Sequence, residues 1–243
     1  MPKKISLKQF LMRTGKFEKV FDCVSAIKEG KITIGQKIVT NPNYFFSKKN
    51  KLVKLNNEKI KQVGKLYFLL NKPAGYLSQK SSGEKTMYDL IEKLDIPDET
   101  KKSLFAVGRL DKDTEGLIII TNDGKLSSVL MKPDSGIEKK YYAVLEKPIG
   151  SNKIRQLENG IEINIDNQRY RTMPCKISTS EEKGIYISIS EGKKRQVRKM
   201  LEAVGNKVVY LRRVSIGGLS LEDLKTGELK QITKEEIMEK LNF

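Results

Sequence analysis

The sequence has 243 residues, 38% of them hydrophobic, enough for one large domain or two smaller ones with a real core. It carries a formal net charge of +17 and no histidine, which excludes Ser/His and Cys/His catalytic pairs and removes the usual partner ligands of a zinc site. Cys23 and Cys175 stand far apart with no CxxC spacing, so neither a disulfide framework nor a metal site is expected.

No run approaches 18 consecutive apolar residues, and "MPKKISLKQF" has no apolar region ending in a cleavage site. A cytoplasmic protein without a membrane partner is expected. The charge is uneven: residues 1 to 64 hold 15 Lys and Arg against 4 Asp and Glu, a net +11. A surface that basic attracts polyanions and repels its own copies, so nucleic acid is the first partner to test and a monomer is expected.

In "KISLKQFLMRTG", Leu7, Phe10 and Leu11 recur at helical spacing, and Gly15 fits a helix end. A second helix places Val20, Val24 and Ile27 on one face and stops at Gly30. "KITIGQKIVTNPNYFF" reads as a hairpin turning at Gly35, and "NNEKIKQVG" as a short polar connection. Helix, helix and hairpin, all basic, resemble the S4 RNA-binding module, with "AIKEGKITIGQKIV" the best match. The resemblance implies a small RNA-binding domain over residues 1–62, with Lys8, Arg13, Lys28 and Lys31 as candidate RNA contacts.

Residues 65–243 follow a different pattern. "KLYFLLNKPAGYLSQKSSG" starts as a strand and breaks at Pro73 and Gly75, and "TMYDLIEKL" sets Met87, Leu90, Ile91 and Leu94 on one helix face. Strands are expected at "YYAVL", "YRTMPCKIS", "GIYISIS" and "NKVVYLRRV". In "GIYISIS", Ile185, Ile187 and Ile189 alternate with Tyr186 and Ser188, the mark of a sheet with one buried face. Many strands, few helices and no regular βαβ alternation predict an α+β fold: the small two-helix-plus-hairpin domain, then a domain around a mostly antiparallel sheet.

Three segments carry the chemistry. "GRLDKDTEGL" puts Asp111 in a tight polar turn ahead of an aliphatic run, where an isolated Asp is ordinarily a solvated turn residue. "EKKYYAVLEKPI" begins a strand at Tyr141. "SEGKKRQVRKMLEAVGN" holds five Lys or Arg among residues 193 to 199 and runs into a helix with Val197, Met200, Leu201 and Val204 on its core face. Their combination and order resemble the RsuA-type rRNA pseudouridine synthases, which also carry an S4 module, and the resemblance covers essentially the whole chain.

That resemblance implies isomerisation of uridine to pseudouridine in ribosomal RNA, free or within a ribosomal subunit assembly intermediate, without cofactor or metal. It implies a catalytic domain over 65–243, with Asp111 as the carboxylate acting at the sugar, Arg198 as the cation that keeps it ionised, and Tyr141 stacked on the uracil. Arg109 is implied to fill the space left by a flipped base, and Lys193, Lys194 and Arg195 to contact RNA. Gly108 and Gly116 are expected to let the backbone approach RNA, and Asp113 and Glu115 to be turn and solvent residues. "SEGKKRQVRKMLEAVGNKVV" and "IGGLSLEDLKTGEL" favour a 16S target, with 23S rRNA as the alternative. A non-catalytic RNA-binding assembly factor is the contrasting class, and retention of Asp111, Tyr141 and Arg198 together argues against it.

Overall fold

The computed structural model describes residues 4–17, 19–47, 52–132 and 135–243. The chain divides into two compact units, one of residues 1–66 with 91–105, the other of 67–90 with 106–243. Segment 91–105, expected within a continuous second domain, therefore groups with the first unit. There Lys16 pairs with Glu99 at 3.0 Å, and a Cβ on Gly15 would lie 1.7 Å from the Glu99 carbonyl oxygen.

In the first unit, Ser6 caps the helix Leu7–Met12 by accepting the Gln9 N–H, and Leu7, Phe10 and Leu11 are buried as their spacing requires. The second helix, Val20–Lys28, buries Cys23, Ala26 and Ile27. Val20, expected on the core face, is 53% exposed because it opens the first turn, beyond the buried row. The strands Ile32–Ile34 and Lys37–Ile38 form the expected hairpin. The expected polar connection is instead a second hairpin: Val53–Leu55 and Glu58–Ile60 pair across Asn56 and Asn57, both at positive φ. Two successive Asn in that conformation make a type I′-like turn, and Ile60 closes the core beneath it.

The second unit is built on one large sheet. Its strands run in the order Lys176–Thr179, Gly184–Ile189, Lys139–Leu145, Val208–Ile216, Glu115–Thr121, Tyr67–Lys72 and Leu229–Ile232. All neighbours along this row are antiparallel except Val208–Ile216 against Glu115–Thr121, which run parallel with Arg213 opposite Gly116. "YRTMPCKIS" is two strands rather than one, since the chain leaves Gln168–Arg171 and re-enters at Lys176–Thr179 around Pro174, which has no N–H to donate to a ladder. Ile185, Ile187 and Ile189 are at most 3% exposed, and the helix Gln196–Ala203 buries Val197, Met200 and Leu201. The fold is α+β around a largely antiparallel sheet. Among the described residues, no helix is long and apolar enough to cross a membrane.

Candidate active site

The aliphatic strand Glu115–Thr121 fixes the place of Asp111. Leu117, Ile118, Ile119 and Ile120 are at most 1% exposed at the centre of the sheet, so the turn that feeds this strand is anchored at one end. Gly116 sits at φ +115°, and a Cβ there would stand 2.2 Å from the Arg213 carbonyl oxygen. Its lack of a side chain thus serves the close approach of two strands, not an approach to RNA as expected.

The turn is gripped from several sides. The Ser78 hydroxyl donates to the Leu110 carbonyl at 2.7 Å and accepts the Leu110 N–H at 3.0 Å. The Gly75 N–H donates to the Lys112 carbonyl at 2.7 Å, and the Thr114 N–H to the Asp111 carbonyl at 3.1 Å. These contacts hold the backbone on both sides of Asp111. Sequence reasoning missed Ser78, for which a lone serine in a polar loop gives no local signal.

Lys72 supports the same turn from below. It lies opposite Gly116 in the ladder, is fully buried, and donates Nζ hydrogen bonds to the Pro73 and Tyr76 carbonyls at 2.8 and 2.7 Å. Those bonds shape the loop that presents Gly75. Burial pushes the Lys72 pKa down from 10.5 to about 8, against the opposing pull of Asp113, Asp111 and Glu115. Below pH 8 the folded state carries the cost of a buried charge. Between about 8 and 10.5 the unfolded chain binds more protons than the folded one at this position, so its contribution to stability rises with pH. The stability difference between wild type and Lys72→Met should therefore move in favour of the wild type over that interval. Urea unfolding at pH 7, 8.5 and 10 measures it, and a constant difference would refute the assignment.

Asp111 opens into a cleft of about 630 Å³ lined by residues of the second unit. Tyr141, 8% exposed, lies on its wall from the strand Lys139–Leu145, with Ile187 and Arg213 as its ladder neighbours. Eight cations line the cleft, namely Lys80, Arg109, Lys112, Lys139, Lys193, Lys194, Arg195 and Arg213. Among the described lining residues Asp111 is the only carboxylate. Arg213 is buried and donates through Nε to the Leu117 carbonyl at 2.7 Å. Lys139 is held below its ordinary pKa by burial and by the nearby Arg213 charge. A site so charged suits a polyanion.

The structure brings Asp111, Tyr141, Arg109, Lys193, Lys194 and Arg195 to this one cleft. Arg198 stands behind the turn and does not pair with Asp111 as expected. Its Nη1 donates to the Val208 carbonyl at 3.0 Å, its Nη2 to the Asp113 carbonyl at 2.9 Å, and its Nε lies 3.3 Å from Asp113 Oδ2. Asp113 is solvent-exposed in the turn, as expected, but it is also paired: Arg195 donates to both its carboxylate oxygens, at 3.0 and 2.9 Å. Glu115 likewise accepts from Thr226 at 2.9 Å and from Tyr210 at 3.2 Å. The helix Gln196–Ala203 points its arginine at the second acid of the turn, which spacing alone does not distinguish from the first. Lys8, Arg13, Lys28 and Lys31 belong to the first unit. Lys28 and Lys31 are exposed, Lys31 paired with Glu29 at 2.6 Å, while Lys8 and Arg13 are half-buried.

One carboxylate and a tyrosine share a basic cleft on a largely antiparallel sheet, a site suited to chemistry on a polyanion. Residues 66–203 match the model of the RNA pseudouridylate synthases, and the chain belongs to that family. It is 35% identical over 212 residues to the ribosomal small subunit pseudouridine synthase A of Escherichia coli, covering 87% of this chain and 89% of that one. It is 34% identical over 219 residues to the ribosomal large subunit pseudouridine synthase B of Bacillus subtilis, covering 87% and 85%. A crystal structure of a pseudouridylate synthase matches 98% of this chain and 99% of its own, with a TM-score of 0.69 at 30% identity.

Proposed function

We propose that this chain converts a uridine of ribosomal RNA to pseudouridine, with Asp111 acting at the sugar. The observation that carries this reading is a single lining carboxylate that shares one cleft with Tyr141 and eight cations. In the reaction the N1–C1′ bond breaks, the base turns, C5 bonds to C1′, and the C5 proton is lost as N1 gains one. Asp111 either attacks C1′ or removes the C2′ proton. Tyr141 stacks on the uracil from the wall of the cleft. Arg109, exposed at its edge, fills the gap left in the RNA when the uridine flips out, which costs a few kcal/mol of stacking. Arg198 acts on this chemistry by fixing the Asp113 end of the turn.

The relatives named for the small and large ribosomal subunits are similarly close, at 35% and 34% identity. Mapping pseudouridines in the rRNA of both subunits, from cells with and without this gene, assigns the target. Loss of one modified position is expected, and identical maps would refute the reading.

The first unit supplies sequence-independent affinity, for which its two-helix and hairpin order and its net charge speak. Phosphate contacts release counterions, so each lost contact lowers the log-log salt slope by about 1. Replacing Lys28 and Lys31 by alanine should weaken rRNA binding and flatten that slope by about 2. Titrations at several salt concentrations test this, and an unchanged slope would make these lysines a solubilising face only.

A further inference from the structure

We infer that Asp113 is a positioning residue: a doubly clamped anion that fixes the Asp111 turn against the arginines at the start of the Gln196–Ala203 helix. The inference rests on the proposed function and adds a residue to it. Asp113 lies two positions after Asp111, inside the turn closed by the 3.1 Å bond from the Thr114 N–H to the Asp111 carbonyl. Its carboxylate takes a two-pronged bond from Arg195 and an ion pair from Arg198, and its carbonyl takes a second Arg198 donor. A bidentate guanidinium bond fixes direction as well as distance.

The other end of the clamp is itself constrained. Arg195 holds a left-handed backbone, φ 54° and ψ 31°, immediately before the helix. That conformation is costly for a side chain with a Cβ and persists where the surroundings impose it. The loop before it is closed by Gln196, whose side chain accepts the Lys193 N–H at 2.9 Å and donates to Glu191 at 2.7 Å. Arg195 is thereby aimed at Asp113 before any RNA arrives. Burial alone would raise the Asp113 pKa, yet the hydrogen bond from Arg195 and the charges of Arg198 and Arg195 outweigh it and hold the group below the usual carboxylate value.

Arg195 lines the cleft, whereas Asp113 is not among its lining residues. Asp113 therefore acts through the placement of Asp111 and not by touching substrate. A displacement of about 1 Å at a reacting group can cost on the order of a hundredfold in rate.

The test is a set of variants, Asp113→Asn, Asp113→Glu, Arg195→Met and the double variant Asp113→Asn/Arg195→Met, assayed on an rRNA fragment that the wild-type enzyme modifies. Single-turnover rate on fully bound RNA, RNA affinity and thermal unfolding are measured for each. Asp113→Asn should lose on the order of tenfold to a hundredfold in single-turnover rate, with affinity and unfolding temperature close to wild type. Asp113→Glu, which keeps the charge, should recover part of the rate. Arg195→Met should also slow the bound complex, and adding it to Asp113→Asn should slow it little further, because the partner is already gone. Wild-type rate in Asp113→Asn, or losses that multiply in the double variant, would overturn the inference and leave the proposed function standing. Failure of the wild-type protein to form pseudouridine in any rRNA would instead overturn the proposed function, and this inference with it.

Discussion

Asp111→Asn should abolish pseudouridine formation while leaving RNA affinity at least as strong as in the wild type. The amide has nearly the shape of the carboxylate, and the contacts that hold the turn run through the Leu110, Lys112 and Asp113 carbonyls, not through the Asp111 side chain. The fold should therefore persist. An amide can neither attack C1′ nor accept the C2′ proton, so the loss should be on the order of 10³-fold or more. Removing one negative charge from a cleft lined by eight cations should not weaken the hold on a polyanion. Tritium release from C5-labelled uridine in rRNA, beside a binding titration, measures both quantities. Turnover near the wild-type rate would remove Asp111 from the chemistry.

Gly116→Ala should be the most damaging single methyl addition in the second unit. The new Cβ would lie 2.2 Å from the Arg213 carbonyl oxygen and 2.7 Å from its nitrogen, and backbone atoms cannot turn aside as a side-chain end can. The position also holds φ +115°, which any residue with a Cβ resists. Together these should cost about 3 kcal/mol or more. The effect should reach activity too. The parallel pairing of Arg213 with Gly116 joins the strands bearing Tyr141 to the strand fed by the Asp111 turn, so forcing it apart separates the two groups. Gly124→Ala is the control: Gly124 opens a helix with nothing within 4 Å of its would-be Cβ and should change stability by little, if anything for the better. Urea midpoints for both variants decide the matter, and equal midpoints would show that the sheet absorbs the methyl at Gly116.

What the sequence by itself determined was whatever repeats over a few residues. Alternating Ile185, Ile187 and Ile189 specified a strand with a buried face, and Val197, Met200 and Leu201 specified a helix with a core side, because burial selects side chains at the period of the backbone. The excess of cations was equally legible, since charge needs no geometry to be counted. Asp111 became visible only through the order of three motifs, as its own surroundings in the chain are those of any turn aspartate. The tertiary structure decided the partners. Arg198 reaches Asp113 across 85 positions of sequence, and Arg195 does so across 82. Two acids separated by one residue in a turn are alike in one dimension, and only the tertiary contacts of Arg195 and Arg198 tell them apart. Ser78 and Gly116 likewise take their meaning from strands and loops that are remote in the chain, because hydrogen bonds and steric contact depend on distances in space that no local period encodes.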